Sequence, residues 1–561
     1  MPSPESSGSR SLHEFLLPWR SAWQRETVRF DLVAGTTLAA YAVPSSIAYA
    51  QLAGMPVATG LYCYLFAGLA YAIFGTSRQL AVGPTSALAL TLATTLGVIA
   101  VGDPTRYAAL ASTTALLVGL VALGAWMMRW GAIVHFISET VLTGFKIGAG
   151  AVIAASQLPP LLGLTGGGHN FAEVIAHVAR NLQSVHPASL ALGLIALALL
   201  VVGQVWRPRW PVPLLIVILA IAFMHLPAAG ALGIAKVGAI PHGMPALAMP
   251  EFDWQDLDSL LPLALACFLI AFNEASAAAR LLAARHDYRI DPDRELLALG
   301  GANIAIAFGH GFPSGGGLSQ SLVNDQAGAR TPLALVVCSG WMAVVLLYLT
   351  GLFAQLPQPL LAALVLASVQ SMFKFDELRQ LLRVNKPEFV IAMVTIAAVL
   401  TMGILRGVLV AAVFSLAMLI RGLAQPECVL LGRLPGNRHF GSIARYPEAK
   451  RIPGYLIFRA NAALLYFNAD TVKDRICALA DQAPEPVRCV IVDMSFSTDI
   501  DLSTARMLAD TGRSFRDAGA DFRLAEAHWR VRALLDAEKL SPLLGDLSRS
   551  YSIEDLVDGV A

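Results

Sequence analysis

Apolar residues along this chain fall in long blocks with little alternation. Between Phe30 and Ile420 they form fourteen segments, near 30–50, 57–75, 84–100, 107–128, 133–158, 188–206, 211–226, 260–284, 293–309, 315–328, 331–354, 357–372, 387–404 and 407–420. A bilayer crossing takes about 20 apolar residues, and fewer where neighbouring protein covers loose backbone. Beyond Arg421 the pattern turns ordinary and soluble. From about Gly454 it reads strand (Tyr455 to Arg459), helix (Ala469 to Asp481), strand (Val487 to Met494), helix (Leu502 to Ala518) and strand (Phe522 to Leu524). The predicted architecture is a polytopic α-helical membrane protein with fourteen transmembrane helices and a small α/β domain. Its parts are a polar segment 1–29, a transmembrane domain 30–425 and a tail domain 440–561.

Composition sharpens that division. The 561 residues are 56% hydrophobic and 14% charged, against roughly 25% charged in soluble proteins, and the mean hydropathy is +0.62. A formal net charge of +1 and a tail without a basic run argue against nucleic acid as a partner. The six cysteines, Cys63, Cys267, Cys338, Cys428, Cys477 and Cys489, form no CxxC pair; neither a disulfide framework nor a zinc site is expected. The polar first thirty residues, with Arg10, Arg20, Arg25 and Arg29, do not read as a cleavable signal peptide.

Basic residues set the sidedness. With the N-terminus in the cytoplasm, the inner loops hold Arg78, Arg129, Arg207, Arg209, Arg280 to Arg294, Arg330, Lys374 to Lys386 and Arg421, whereas the outer loops hold Arg106, Arg180, Lys236 and Arg406. The excess follows the positive-inside rule. An even number of spans returns both ends to the cytoplasmic side of a bacterial-type inner membrane.

The third and tenth segments are short, and each opens with Pro followed by small or hydroxyl residues: Val82-Gly83-Pro84-Thr85-Ser86-Ala87 and Phe312-Pro313-Ser314-Gly315-Gly316-Gly317. Each follows a run ending in Phe-Gly, at Phe74-Gly75 and at Phe308-Gly309. They stand seven segments apart, so equivalent helices run in opposite directions, which is an inverted seven-plus-seven repeat of the kind found in secondary transporters. A helix that begins inside the membrane leaves its first N–H groups unpartnered and carries roughly half a positive charge there. Two such ends make an anion site without a buried cation. Pro suits a first helical turn, Gly lets the backbone approach a ligand, and the hydroxyls of Thr85, Ser86, Ser314 and Ser319 add donors. Small residues also serve helix packing in membranes, and for any single position that reading stands beside the first.

Glu274, with Asn273 beside it, lies inside the apolar run Phe268 to Ser276. A carboxylate at that depth points to function, and since burial disfavours the charged form, protonation coupled to transport is chemically reasonable. Bracing a neighbouring helix is the other role open to it. Glu139 and Lys146 are seven residues apart on one helical run, where structural pairing is expected. His135, His169 and His310 fall near loops or helix ends and read as surface or packing residues.

These motifs together resemble the SulP anion-transporter family, whose animal relatives include the anion exchangers and prestin. Val43 to Ala50, with Leu52 to Pro56 and Gly60-Leu61-Tyr62, is similar to the family's first-helix signature. Phe136 to Glu139 with Thr143-Gly144-Phe145 resembles its fifth-helix start. Glu274, Tyr288 to Asp291, Glu295-Leu296, Gly300 and Asn303-Ile304 resemble its eighth and ninth helices, and Gly316 to Asn324 with Gly328 to Leu333 its tenth. The resemblance implies core and gate subdomains, an elevator-like movement of the core, a homodimer, and an anion held between the third and tenth helix starts. On this chain it carries the substrate site to Ser45, Thr85, Ser86, Ala87, Ser314, Gly315, Gly316, Gly317, Ser319 and Gln320, and the ion-coupling role to Glu274 and Asn273. Relatives often have Gln where Ser45 stands, and animal members often Arg where Gln320 stands. With less fixed positive charge, symport with H+ or Na+ is favoured over anion exchange.

The tail resembles a STAS domain. Val490 to Ser495 followed by Ile500 to Thr504 is similar to that domain's Asp-x-Ser/Thr-Gly loop, with Thr504 in place of Gly. In related bacterial regulators the hydroxyl at this point is phosphorylated, which makes Ser503 a regulatory candidate for a cytosolic partner; the other reading is a helix cap. The expected function is secondary active transport of a small inorganic or carboxylate anion (sulfate, bicarbonate or a dicarboxylate such as fumarate). A nucleobase-type permease of the same fold is the alternative within transport, and a non-transporting membrane sensor acting through the tail is the alternative outside it. No catalytic triad order, metal-ligand spacing or phosphate loop stands out, so neither an enzyme nor a cofactor is expected.

Overall fold

A computed structural model of the chain describes residues 17, 19, 25–100, 102–131, 139–166, 170–206, 212–238, 240–251, 253–436 and 438–559. The chain folds as two compact units, Met1–Val413 and Phe414–Ala561.

The larger unit is helical. Its helices are α1 (Arg25–Leu52), α2 (Val57–Phe74), α3 (Ser86–Ile99), α4 (Pro104–Met127), α5 (Glu139–Ser156), α6 (Phe171–Arg180), α7 (Pro187–Trp206), α8 (Val212–Met224), α9 (Leu257–Arg285), α10 (Pro292–Phe308), α11 (Leu318–Gln326), α12 (Leu333–Val344), α13 (Gln358–Val369), α14 (Phe375–Val384) and α15 (Lys386–Met402); α16 (Ile404–Ala424) runs on into the smaller unit. A helix lies within each of the fourteen apolar segments. Among the described residues seven helices are long and apolar enough to cross a membrane by length and composition. The α3 and α11 helices have 14 and 9 residues. At 1.5 Å per residue they reach about 21 Å and about 14 Å, short of a hydrocarbon core of about 30 Å.

Two helices were not announced by the apolar blocks. Both α6 and α14 have acidic residues in the first turn (Glu173; Asp376 and Glu377) and basic ones in the last (His177 and Arg180; Arg383), which complements the helix dipole. Ten amphipathic residues between long apolar runs are lost in any window wide enough to find a span. The fifth segment begins as helix at Glu139; residues 132–138, with His135, and residues 167–169, with His169, lie outside the described residues. His310 sits in the turn after α10 at φ 56°.

Packing divides the helices into two sets. One is α1 to α4 with α9 to α12, and the other is built around α5, α7, α8, α13 and α15. Two buried carboxylates fasten the first set. Asp31, at the start of α1, accepts the amides of Arg330 and Thr331 (2.7 and 3.0 Å) and the Thr331 hydroxyl (2.6 Å). Glu295, at the start of α10, accepts the Tyr71 hydroxyl at 2.7 Å, the Thr76 amide and hydroxyl at 2.9 and 2.5 Å, and the Ser77 amide at 3.1 Å. Each thus ties a helix start of one repeat to the connection beside the short helix of the other.

Where the repeats meet, Val82–Gly83 (β1) and Gly315–Gly316 (β2) form a two-residue antiparallel ladder, Val82 against Gly316 and Gly83 against Gly315. The glycines are required by close approach: a Cβ on Gly316 would stand 2.8 Å from the Ala275 Cβ, and one on Gly83 2.5 Å from the Tyr64 ring.

The smaller unit is a five-stranded sheet of β3 (Cys428–Arg433), β4 (Phe440–Ser442), β5 (Tyr455–Ala460), β6 (Cys489–Asp493) and β7 (Asp521–Ala525), in the order β4-β3-β5-β6-β7. The β5, β6 and β7 strands are parallel and are joined through α17 (Ala469–Asp481) and α18 (Leu502–Asp517). The sheet takes in β3 and β4 ahead of the stretch that reads as strand and helix in the sequence. Its core is Phe458, Val472, Ile476, Val490, Leu508 and Phe522 with their neighbours.

Candidate functional site

The ladder fixes the geometry of the site. Partner strands of an antiparallel pair lie about 5 Å apart. The α3 helix starts three residues after β1 and α11 two residues after β2, so the crossing brings their N-terminal ends together. The first amides of each helix have no partner within it. Thr85 caps α3, its hydroxyl oxygen accepting the Leu88 amide at 3.4 Å; Gly317 occupies the equivalent position of α11 with no side-chain cap.

The prolines play a different part from the one expected. Pro84 precedes the cap of α3 and Pro313 precedes β2, so neither is in a first helical turn. A residue before Pro is pushed to extended backbone, which holds Gly83 and Phe312 in the approach to the crossing.

The side chains expected to bind substrate are only partly gathered here. Thr85, Ser86 and Ala87 lie at the start of α3; Ser319 and Gln320 lie in the first turn of α11, which Gly315, Gly316 and Gly317 lead into. The Ser86 hydroxyl meets the Met372 sulfur at 3.8 Å. The Gln320 side-chain amide donates to the Ala81 carbonyl at 3.3 Å, linking the two halves. Two hydroxyls are engaged with main-chain carbonyls, which corrects the expectation that Ser314 offers a donor and bears on Ser45, carried to the site by the family resemblance. Ser45 donates to the Tyr41 carbonyl at 2.8 Å within α1. Ser314, fully buried, donates to the Phe312 carbonyl at 3.1 Å. A hydroxyl short of partners in an apolar setting turns to the nearest main-chain carbonyl.

Asn303 was not among the expected site residues. Its side chain clamps Ser314 in both directions, donating to the Ser314 carbonyl and accepting its amide, each at 3.0 Å. Ser321 accepts the Ala81 amide at 2.9 Å, and Asn324 donates to the Gln79 carbonyl at 3.0 Å. These three hold the two unwound stretches in register. The signal for Asn303 in the sequence is an uncharged polar residue inside an apolar helix, whereas Ser321 and Asn324 lie among other polar residues on α11.

Glu274 and Asn273 lie half-buried on α9, the helix whose Ala271 and Ala275 pack on Gly315 and Gly316. The Thr85 hydroxyl lies near the Glu274 carboxyl, and Lys146 on α5 stands within its electrostatic reach. Lys146 forms no ion pair with Glu139 among the described residues, which corrects the expected pairing.

In the smaller unit, Asp501 caps α18, accepting the Thr504 amide at 2.8 Å and the Tyr466 amide at 2.6 Å. Burial opposes its charge, but those donors prevail and hold its carboxyl below the usual range. The cap is therefore Asp501, and Ser503 is left exposed at the second helical position. Asp493 is buried against Arg459 at 3.7 Å.

Comparison with known proteins gives the family of the chain. The model of the sulfate permease family matches residues 28–395 and that of the STAS domain residues 446–552. A probable sulfate transporter of Mycobacterium tuberculosis is 36% identical over 481 residues, 86% of this chain and 86% of that one. The chloroplastic sulfate transporter 4.1 of Arabidopsis thaliana is 32% identical over 505 residues, 86% of this chain and 73% of its own. In fold the chain is similar to the murine solute carrier 26 member A9 anion transporter, with a TM-score of 0.88 at 22% identity, covering 100% of this chain and 96% of that one. It is also similar to the transmembrane domain of the cyanobacterial bicarbonate transporter BicA, with a TM-score of 0.62 at 23% identity, covering 70% of this chain and 98% of that one. These relatives are transport proteins, in keeping with the expectation that the chain is not an enzyme. The chain is a multi-pass membrane protein that belongs to the sulfate permease family and carries a STAS domain toward its C-terminal end.

Proposed function

We propose that this chain is a secondary active transporter of a small anion, sulfate before bicarbonate or a dicarboxylate, working by symport with H+ or Na+. The observation that carries the reading is the β1–β2 crossing, which brings two helix N-termini together with no Lys or Arg on either short helix. Amides at helix starts favour anions, and the sulfate-transporter relatives at 36% and 32% identity support sulfate as the first substrate to test. Glu274, near the cap of α3, is the coupling group, with Asn273 beside it. The first helix set moves against the second as an elevator, the protein works as a homodimer in the inner membrane, and Ser503 offers the tail to a cytosolic regulator.

The test is uptake of labelled sulfate, bicarbonate and fumarate into proteoliposomes under imposed proton or sodium gradients. Accumulation of sulfate that follows one of these gradients is expected, and it should be lost in Glu274→Gln, while exchange of internal for external anion persists. Uptake of none of the three anions would end the transport reading; gradient-driven accumulation by Glu274→Gln would end the coupling role.

A further inference from the structure

Resting on that reading, we propose that Lys146 is the cation of the anion site. It is supplied by the second helix set, and it is shared between the transported anion and Glu274, so that occupying the carboxylate with a proton or sodium ion releases the lysine to the anion.

The geometry starts from contacts. Ser86, in the first turn of α3, touches Met372 at 3.8 Å. A Cβ on Gly150 of α5 would stand 3.3 Å from the Met372 Cβ, so α5 passes the start of α3 at Gly150 with a single side chain between. Lys146 is four residues from Gly150, which places it on the same helix face one turn away. It is half-buried, and among the described residues it makes no ion pair. A lysine in such a place is expected to meet a counter-charge, and the start of α3, beside the crossing with β2, lies across Met372 from its helix.

The groups around the pair leave the lysine open to an anion. Toward Glu274 face the Thr85 hydroxyl, Lys146 and, from α1, Tyr49. Other charged groups on α9 and on the helices packed against it have partners of their own: Arg280 with the Ser276 carbonyl at 3.3 Å, Arg106 with Asp256 at 2.9 Å, Asp325 with Arg285 and His286, Asp293 with the Gly131 amide at 2.8 Å, Arg294 with Asp291 at 3.9 Å, and Glu295 with Tyr71, Thr76 and Ser77. On the elements packed against α5, Glu388 accepts the Thr140 hydroxyl and Glu377 the Thr143 hydroxyl, each at 2.9 Å, and Glu377 also pairs with Lys374 at 3.2 Å. Lys146 therefore has two suitors, a fixed carboxylate and a mobile anion. Neutralising the first strengthens the second, and by linkage the anion strengthens cation binding equally. Because Lys146 and Glu274 stand on opposite helix sets, the pair also holds those sets together when the site is empty.

The experiment measures sulfate uptake by the full-length protein in proteoliposomes between pH 5 and 8, a range in which sulfate keeps its charge, with an inhibition series to obtain KM. In the wild type KM falls as pH falls. Lys146→Gln should raise KM about tenfold or more, the scale of a lost hydrogen bond to a charged group, and should flatten its pH dependence; Lys146→Arg should restore both in part. In a Glu274→Gln background, read by exchange, Lys146→Gln should still raise KM, but neither single nor double variant should retain the pH slope. A Lys146→Gln protein with wild-type KM, or with raised KM and an unchanged pH slope, overturns the proposal. Absence of uptake by the wild type is the separate failure of the transport reading. Should Lys146→Gln not reach the membrane, Lys146→Met and the Arg variant carry the same comparison.

Discussion

At the scale of single residues, polar groups buried in apolar surroundings decide most of the local structure. Asp31 and Glu295 accept only amides and hydroxyls, which satisfies a carboxylate without a basic partner. Glu274 stood out in the sequence because it is a carboxylate inside an apolar run. Ser45 and Ser314 stood out equally and turned out to serve their own backbone, since a hydroxyl in a sequence does not declare which carbonyl lies nearest. Lys146 was visible, but its direction was not; Glu139 was the only charge the sequence could offer it. In the tail, Asp501 gives a prediction with a definite sign. Its carboxyl is held below the usual range, so the stability it adds is present above its unfolded value of about 3.9 and is lost as pH falls through the folded value. Asp501→Ala should cost about 1 kcal/mol at neutral pH, the usual worth of an N-cap, and the gap to the wild type should close in acid. Denaturant unfolding of the full-length protein, followed by a probe placed in the tail, measures this.

At the scale of elements, the fourteen apolar segments were legible because a membrane span needs a long run of one kind of residue, and so were the strands and helices after Gly454, where the period changes. The ladder between β1 and β2 was not, because two residues make no pattern; only the repeated Pro and Gly beside a shortened span pointed there. The amphipathic α6 and α14 were hidden for the opposite reason, being short among long apolar neighbours. The crossing makes a prediction of its own. Gly316→Val places carbon 2.8 Å from the Ala275 Cβ, and overpacking of this kind costs about 1–3 kcal/mol, so thermal stability in detergent should fall and transport with it. Gly97, inside α3, has open space where a Cβ would go, and Gly97→Ala should raise stability by about 0.5–1 kcal/mol. Equal melting of the two variants would mean that the crossing tolerates side chains and that its glycines are incidental.

At the scale of the whole molecule, the inverted repeat has a mechanical counterpart in the paired carboxylates, each of which fastens one repeat's helix to the other repeat's connection. Sidedness belongs to this scale, since it is a property of the summed loops. The basic excess of one set of loops predicts that tags at either end of the chain, and a cysteine placed at Ser503, react with an impermeant reagent only after the cytoplasmic face is opened. Labelling from outside intact cells would invert the assignment. The ladder carries a further consequence. Its attraction for negative charge is written in main-chain amides, and a point mutation exchanges side chains while leaving those amides in place. Drift among relatives can therefore alter the size, shape and accompanying ion of the cargo while the main-chain amides at the crossing persist.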